Sequence, residues 1–168
     1  SSDLLSDRRE SHMLITIVCT LIFMLAYFLI LLGAVGFIQN KKFFGSAPKC
    51  IQDAIPDTRE RFPGAHMIGW IIIALAFILF IVAVVLAVWD GAGNSFGFIS
   101  FFVRFIVMLY GLELFDLGVF DYILLCHSNF YPRFYPEVKD IVGPHLFGFN
   151  KKVHTMHFLV YIPVSAIW

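Results

Sequence analysis

The segment from Tyr110 to His127, YGLELFDLGVFDYILLCH, combines a strongly apolar composition with three carboxylates. These acids are Glu113, Asp116 and Asp121. An ionised carboxylate at the centre of a membrane helix costs about 2.5–3.5 kcal/mol, so acids at that depth are kept protonated, paired with basic groups or bound to a cation. An acidic cluster in such a segment therefore indicates a functional site.

The spacing of the acids predicts that they share one side of a helix. At about 100° per residue, the three acids and Tyr110 fall within an arc of about 140°. Arg104 points to the opposite side, which makes it a poor partner for acids on its own helix. Gly111 and Gly118 form a neighbouring strip of small residues, which predicts close approach of another helix. We therefore expect the acids to face the bundle interior or a wet cavity, although solvation at the helix end is an alternative for Asp121.

A second group of chemically capable residues follows in VHTMHF, which places His154 and His157 three residues apart on one helical face. Imidazole nitrogens together with carboxylate oxygens suit zinc, iron or manganese. We predict Asp116, His154 and His157 as metal ligands, with Glu113 or Asp121 as the general base of any metal-dependent reaction. The same groups are equally typical of a proton relay. Simple hydrogen bonding between helices is the structural alternative.

Four further polar residues are candidates for the same site: Tyr110, His127, His145 and His66. The stretches GAHMIGW and GPHLFGF both read Gly, any residue, His, two apolar residues, Gly and an aromatic residue. A faint internal duplication would give His66 and His145 equivalent places at the cytoplasmic surface. Chance similarity between two interfacial histidines beside glycine turns explains the pattern at least as well.

The composition identifies the solvent in which these residues must lie. Of 168 residues, 60% are hydrophobic and 14% are charged, against about 45–50% and about 25% in soluble domains. We therefore predict an integral membrane protein, in the plasma or inner membrane rather than an organelle. The formal net charge is zero, which gives no argument for nucleic acid. Neither a Walker loop nor a dinucleotide-binding glycine pattern is present, so no nucleotide is expected.

We predict an all-α bundle of four transmembrane helices that forms one domain over residues 1–168. A spanning helix needs about 20 mostly apolar residues, and the expected helices lie at residues 13–37, 67–89, 96–126 and 153–168. The fourth is short, and we expect that it either continues beyond residue 168 or lacks its last turn. Lys and Arg concentrate in the two long loops, 38–66 and 127–152, which places both loops in the cytoplasm and the N-terminus outside.

Two functional hypotheses follow from this arrangement. In the first, a carboxylate–histidine site between the third and fourth helices handles a cation, a proton or a lipid-derived ligand from the cytoplasmic leaflet, by transport or by metal-dependent chemistry. A divalent transition metal is the expected cofactor, and membrane lipid with a homo-oligomer or other membrane subunits are the expected partners. In the second, the chain is a non-catalytic subunit of a larger membrane complex, and its acids and Arg104 pair with partner helices.

Overall fold

The computed structural model describes residues 2–45 and 47–167, with side chains from residue 10 onward. Throughout this part of the chain the regular structure is helical, apart from one isolated antiparallel bridge between Asn40 and Thr58. The predicted all-α class is therefore confirmed. The α-helices are α1 (Ser2–Leu31), α2 (Lys49–Ala54), α3 (Ala65–Gly93), α4 (Phe98–Phe115), α5 (Phe130–Phe134) and α6 (Lys151–Ser165).

Two of the long helices change their winding before they end. α1 continues as a π-helix over Leu32–Ile38, and α4 continues as a π-helix over Asp116–Cys126. A π-helix closes i→i+5 hydrogen bonds, so each of its turns contains more residues than an α-turn. The long apolar segments were predicted as uniform α-helices, and the winding of their C-terminal parts differs from that prediction.

Three helices are long and apolar enough to cross a membrane: Glu10–Ile38, Ala65–Gly93 and Phe98–Cys126, each 29 residues long. At about 1.5 Å per residue, each exceeds the roughly 30 Å of a bilayer's hydrocarbon core. Their outward faces are apolar, as shown by Ile81, which is 63% exposed, and Trp89, which is 73% exposed. Apolar surface of this extent suits lipid rather than water. Three of the four predicted spans therefore form helices with the length and composition to cross a membrane.

The segment predicted as a fourth span forms α6, a helix of 15 residues that contains Pro163 and packs against α4. This length falls short of the roughly 20 residues that a regular span requires. α6 is therefore a helix of the bundle, whereas its crossing of the membrane stays a prediction. The cytoplasmic placement of the loops also stays a prediction.

Small residues allow the long helices to approach closely. A Cβ built on Gly33 would lie 3.0 Å from the carbonyl oxygen of Gly69, which fixes the contact between the end of the first span and α3. A Cβ on Gly111 would lie 2.7 Å from Cγ2 of Thr20 on α1, as the small strip predicted. Gly118 has no atom within 4 Å of its built Cβ, so the expectation of a helix contact there was wrong.

The two long loops pack on each other and form a cap at one end of the bundle, which we call the loop cap (residues 39–64 and 127–150). Its apolar core includes Phe44, Ile51, Tyr135 and Val138, all nearly inaccessible to solvent. Polar contacts join the same two segments. Nε2 of Gln39 donates to the Phe134 carbonyl at 3.1 Å, and Arg59 forms an ion pair with Glu137. A backbone hydrogen bond and the Arg59 guanidinium lower the pKa of the Glu137 carboxyl.

The two stretches that suggested an internal duplication form different local structures. Gly64 has a left-handed φ of 86° and immediately precedes α3, so that His66 lies in the first turn of a long helix. Gly143 is extended, and His145 lies in a short 3₁₀ turn at Pro144–Leu146. The two histidines therefore do not occupy equivalent places in the fold.

Candidate metal centre

The π-helical end of the third span determines which acids face α6. Glu113 lies in the last turn of α4, and Asp121 lies within the π-helix. Asp121 follows Glu113 by eight positions, and over this interval a regular α-helix would separate their directions by about 80°. The wider π-turns rotate less per residue and reduce this offset. As a result, both carboxylates reach the same side chain of α6.

That side chain is His154, which is 5% exposed. Its Nδ1 lies 2.6 Å from Oε1 of Glu113, and its Nε2 lies 2.9 Å from Oδ2 of Asp121. A neutral imidazole has one N–H and one bare nitrogen, so it donates one hydrogen bond. Hydrogen bonds to two carboxylates therefore need a second proton, carried either by the ring or by one of the acids.

Glu113 is the centre of the polar contacts between α4 and α6. It is 2% exposed, and besides His154 it contacts two further residues of α6. Nδ1 of His157 lies 3.2 Å from Oε2, and the Tyr161 hydroxyl donates to the same oxygen at 3.0 Å. Multiple donors of this kind are what a buried carboxylate requires to remain tolerable away from water. We call Glu113, Asp121, His154, His157 and Tyr161 the histidine–carboxylate cluster.

Three members of this cluster could hold a metal ion. One ligand atom each from Glu113, His154 and His157 lies within 4.8 Å of the others. Two imidazoles and one carboxylate make up a ligand set known from catalytic zinc sites and from non-haem iron sites. The structure thus brings Glu113 close enough to the histidines to be a third possible ligand, whereas we predicted Asp116 for that role.

The remaining two members fit the surroundings of such a metal. Histidines that bind a metal through one ring nitrogen usually donate the other N–H to a carboxylate, which fixes the tautomer and the ring orientation. Asp121 lies in the right place to do this for Nε2 of His154. The Tyr161 hydroxyl orients the Glu113 carboxylate in the same way.

Asp116 lies beside the cluster and has a different environment. It is half-buried and makes no hydrogen bond to any residue that the structure describes. It lines a cavity of about 140 Å³ together with Asp121, His154 and His157. Asp116 is therefore available to a molecule that occupies this cavity.

The other predicted site residues lie outside the cluster. Tyr110 is on the same helix interface, but its hydroxyl donates to the Phe158 carbonyl at 3.1 Å. A ring nitrogen of His127 lies 2.8 Å from the Tyr122 carbonyl, and a ring nitrogen of His66 lies 2.9 Å from the Arg59 carbonyl. His145 is exposed in the loop cap.

Tyr161 was missed by the sequence analysis, although its spacing contained a signal. It follows His154 by seven residues and His157 by four, which is the repeat of one helical face. A tyrosine in an apolar helix is common, so this spacing indicates a site residue only once Glu113 is known to face it from α4. The tyrosine that we predicted as a site residue, Tyr110, lies on the helix that carries the acids.

A second buried ionic group lies at the other end of the spans and was also missed. Arg104 is 3% exposed, and its Nη2 donates to Oδ2 of Asp90 at 2.6 Å. Its Nη1 donates to the Ala87 carbonyl at 2.6 Å, and its guanidinium carbon lies 4.5 Å from the centre of the Phe96 ring. Nδ1 of His12 lies 3.3 Å from the same oxygen of Asp90. Arg104 thus has its ionic partner in its own chain, which corrects the idea that it pairs with a partner helix.

Comparisons with known proteins give no relatives from which a role could be transferred. No family model, no curated protein and no solved structure matches the chain. Within the part of the chain that the structure describes, Glu113, His154 and His157 of this membrane-type helical bundle form a group that could hold a metal ion.

Proposed function

We propose that this protein holds a divalent transition metal inside its helical bundle, on Glu113, His154 and His157, and uses it for metal-dependent chemistry at the membrane. The observation that carries the proposal is the convergence of three ligand atoms within 4.8 Å in a largely buried place. The contacts of Asp121 and Tyr161 add to it, because residues that bind a metal usually have such outer hydrogen-bond partners.

The number of protein ligands favours chemistry over a purely structural metal. Structural zinc sites are closed by four protein ligands, whereas catalytic sites keep three and leave a position for water or substrate. The group Glu113, His154 and His157 supplies three. A bound ion would replace the 2.6 Å contact between Glu113 and His154, because ligand atoms about 2.0–2.1 Å from a tetrahedral ion lie farther apart than that.

Metal analysis of the purified full-length chain tests the proposal. We expect about one equivalent of zinc, iron or manganese per chain after purification in detergent without chelators. Glu113→Gln and His157→Ala remove a ligand and should lose the metal. Glu10→Gln and His127→Ala alter exposed residues outside the cluster and should retain it. A wild-type protein that neither contains nor takes up any of the three metals overturns the proposal.

A second candidate function is proton handling, and it is favoured by the position of His154 between two carboxylates. Without a metal, these two contacts require two protons, which the cluster could exchange with the medium. Infrared spectroscopy of metal-free protein would then detect either a protonated carboxyl or an imidazolium, with a band that changes in His154→Gln. In metal-loaded protein the metal takes the place of one of the two protons, and that band should disappear.

The alternative of a non-catalytic subunit makes a different prediction. It requires metal-free protein that co-purifies with a fixed membrane partner and loses that partner in Glu113→Ala. The burial of Glu113 among donors of its own chain supports the metal site instead. We further propose that membrane lipid surrounds the three spans, that α6 completes a fourth crossing, and that the loop cap lies in the cytoplasm.

A further inference from the structure

The cavity beside the cluster is lined by both polar and apolar side chains. Its charged and titratable lining residues, which we call the polar wall, are His154, His157, Asp116 and Asp121. Apolar lining residues come from the first span and the loop cap, with Leu31, Val35, Phe44 and Ile51 among them. A molecule that fills this space would therefore have both polar and apolar groups.

The size of the cavity limits what can enter it. Its volume is about 140 Å³, and a water molecule occupies about 30 Å³ of liquid. The cavity thus has room for at least several water-sized groups. A small ring or a short chain fits in this space.

Two features of the polar wall select the chemistry of the ligand. His154 and His157 are ligands of the proposed metal and also line the cavity, so an open metal position would be accessible from it. Asp116 makes no hydrogen bond to any part of the chain that the structure describes. A half-buried carboxylate without a donor is costly, and a ligand N–H or O–H would relieve that cost.

We propose that this cavity is the ligand chamber of the metal centre. It takes small, partly apolar molecules that carry one atom able to bind the metal and an N–H or O–H donor for Asp116. This inference rests on the proposed metal function. Asp116 is then a specificity-determining residue, which distinguishes ligands with a donor from ligands of similar shape that lack one.

Imidazole and 1-methylimidazole are suitable probes, because both bind metals through a ring nitrogen and only imidazole retains a free N–H. The full chain is loaded with Co²⁺ in detergent, and each probe is titrated while the visible absorption of the metal is recorded. We expect imidazole to bind wild-type protein about tenfold or more tightly than 1-methylimidazole, which is the value of one hydrogen bond to a charged acceptor.

The variant Asp116→Ala separates the hydrogen bond from the size of the probes. We expect it to bind Co²⁺ and to bring the two probes to within about threefold of each other in affinity. Asp140→Ala, at an exposed position of the loop cap, should keep the wild-type preference. If Asp116→Ala still prefers imidazole to the same degree, the size of the probe rather than the Asp116 carboxylate causes the preference. The assignment of Asp116 is then overturned.

A matched pair of valines on α6 tests the chamber itself. Val153 lines the cavity and is 38% exposed, whereas Val160 is 45% exposed and is absent from the cavity wall. Val153→Phe should weaken binding of both probes at least tenfold while Co²⁺ stays bound, and Val160→Phe should change neither. If Val153→Phe binds each probe as tightly as Val160→Phe does, the probes do not occupy this cavity and the chamber is overturned.

The outcomes also separate this inference from the proposed function. Protein that takes up neither Co²⁺ nor zinc, iron or manganese overturns both, because the chamber depends on the metal. If the protein binds Co²⁺ stoichiometrically but binds imidazole and 1-methylimidazole equally well, the assignment of Asp116 is overturned. If Val153→Phe also leaves both probes bound as in wild-type protein, the chamber is overturned. The metal centre stands in both cases.

Discussion

Nδ1 of His154 lies 2.6 Å from Oε1 of Glu113, with both side chains buried at the interface of α6 and α4. This contact joins a helix of 15 residues to a membrane span of 29 residues. Because a buried ionisable group is tolerated only with partners, each of the two residues makes the position of the other possible.

The Asp121 carboxylate should control metal affinity without binding the metal. Asp121→Asn removes the negative charge that holds the Nε2–H of His154, and we expect a 10–100-fold loss of zinc affinity. Competition with a chelating dye measures this loss. Asp140→Asn, at an exposed position, serves as the control. Unchanged affinity in Asp121→Asn would show that Asp121 does not orient the ligand.

The Tyr161 hydroxyl should stabilise the buried Glu113 carboxylate. Tyr161→Phe removes one hydrogen bond to a charged acceptor, and we expect a loss of about 1.5 kcal/mol in unfolding free energy. Unfolding in detergent, followed by circular dichroism, provides the measurement. Tyr122→Phe makes the same chemical change at an exposed tyrosine, and we expect no comparable loss. Similar losses in both variants would contradict a specific role for Tyr161.

The Arg104–Asp90 pair should stabilise the opposite end of the bundle. Arg104→Met leaves the Asp90 charge without its main partner, and we expect destabilisation by about 3–5 kcal/mol. Adding Asp90→Asn removes the orphaned charge and should recover much of that loss. Thermal unfolding of both variants, with the exposed-site control Arg133→Met, measures the effect. A double variant as unstable as the single one would show that the charge pair is not the cause.

The native cysteines allow the orientation to be tested without engineered labels. Cys50 is exposed in the loop cap, whereas Cys19 and Cys126 are buried. If the loop cap lies in the cytoplasm, a membrane-impermeant maleimide should label Cys50 only after the cells are permeabilised. Cys50→Ser confirms that the signal comes from this residue. Labelling of intact cells would reverse the predicted orientation.

The same reagent examines whether α6 crosses the membrane. Ile167 is 78% exposed and follows the end of α6. In a Cys50→Ser background, Ile167→Cys should be labelled in intact cells if α6 is a fourth span and the loop cap is cytoplasmic. Protection until permeabilisation would place residue 167 on the same side as the loop cap, so that α6 would enter the bundle without crossing it.

The sequence by itself determined that the protein is helical, and it located three helices that are long and apolar enough to cross a membrane. These properties depend only on local composition, because about 20 successive apolar residues can form a membrane-spanning helix whichever residues they contact in the folded protein. The polar character of the third span was equally visible, because Glu113, Asp116 and Asp121 stand out in apolar surroundings.

Only the tertiary structure decided which polar groups are partners. The helical wheel assumed regular α-winding through residue 126, and the π-helix from Asp116 to Cys126 changes the direction of Asp121 relative to Glu113. Likewise, Arg104 points away from the acids of its own helix but meets Asp90 across the turn between α3 and α4. Partners of this kind depend on helix phase and on the packing of several helices together, and neither is a property of a local segment.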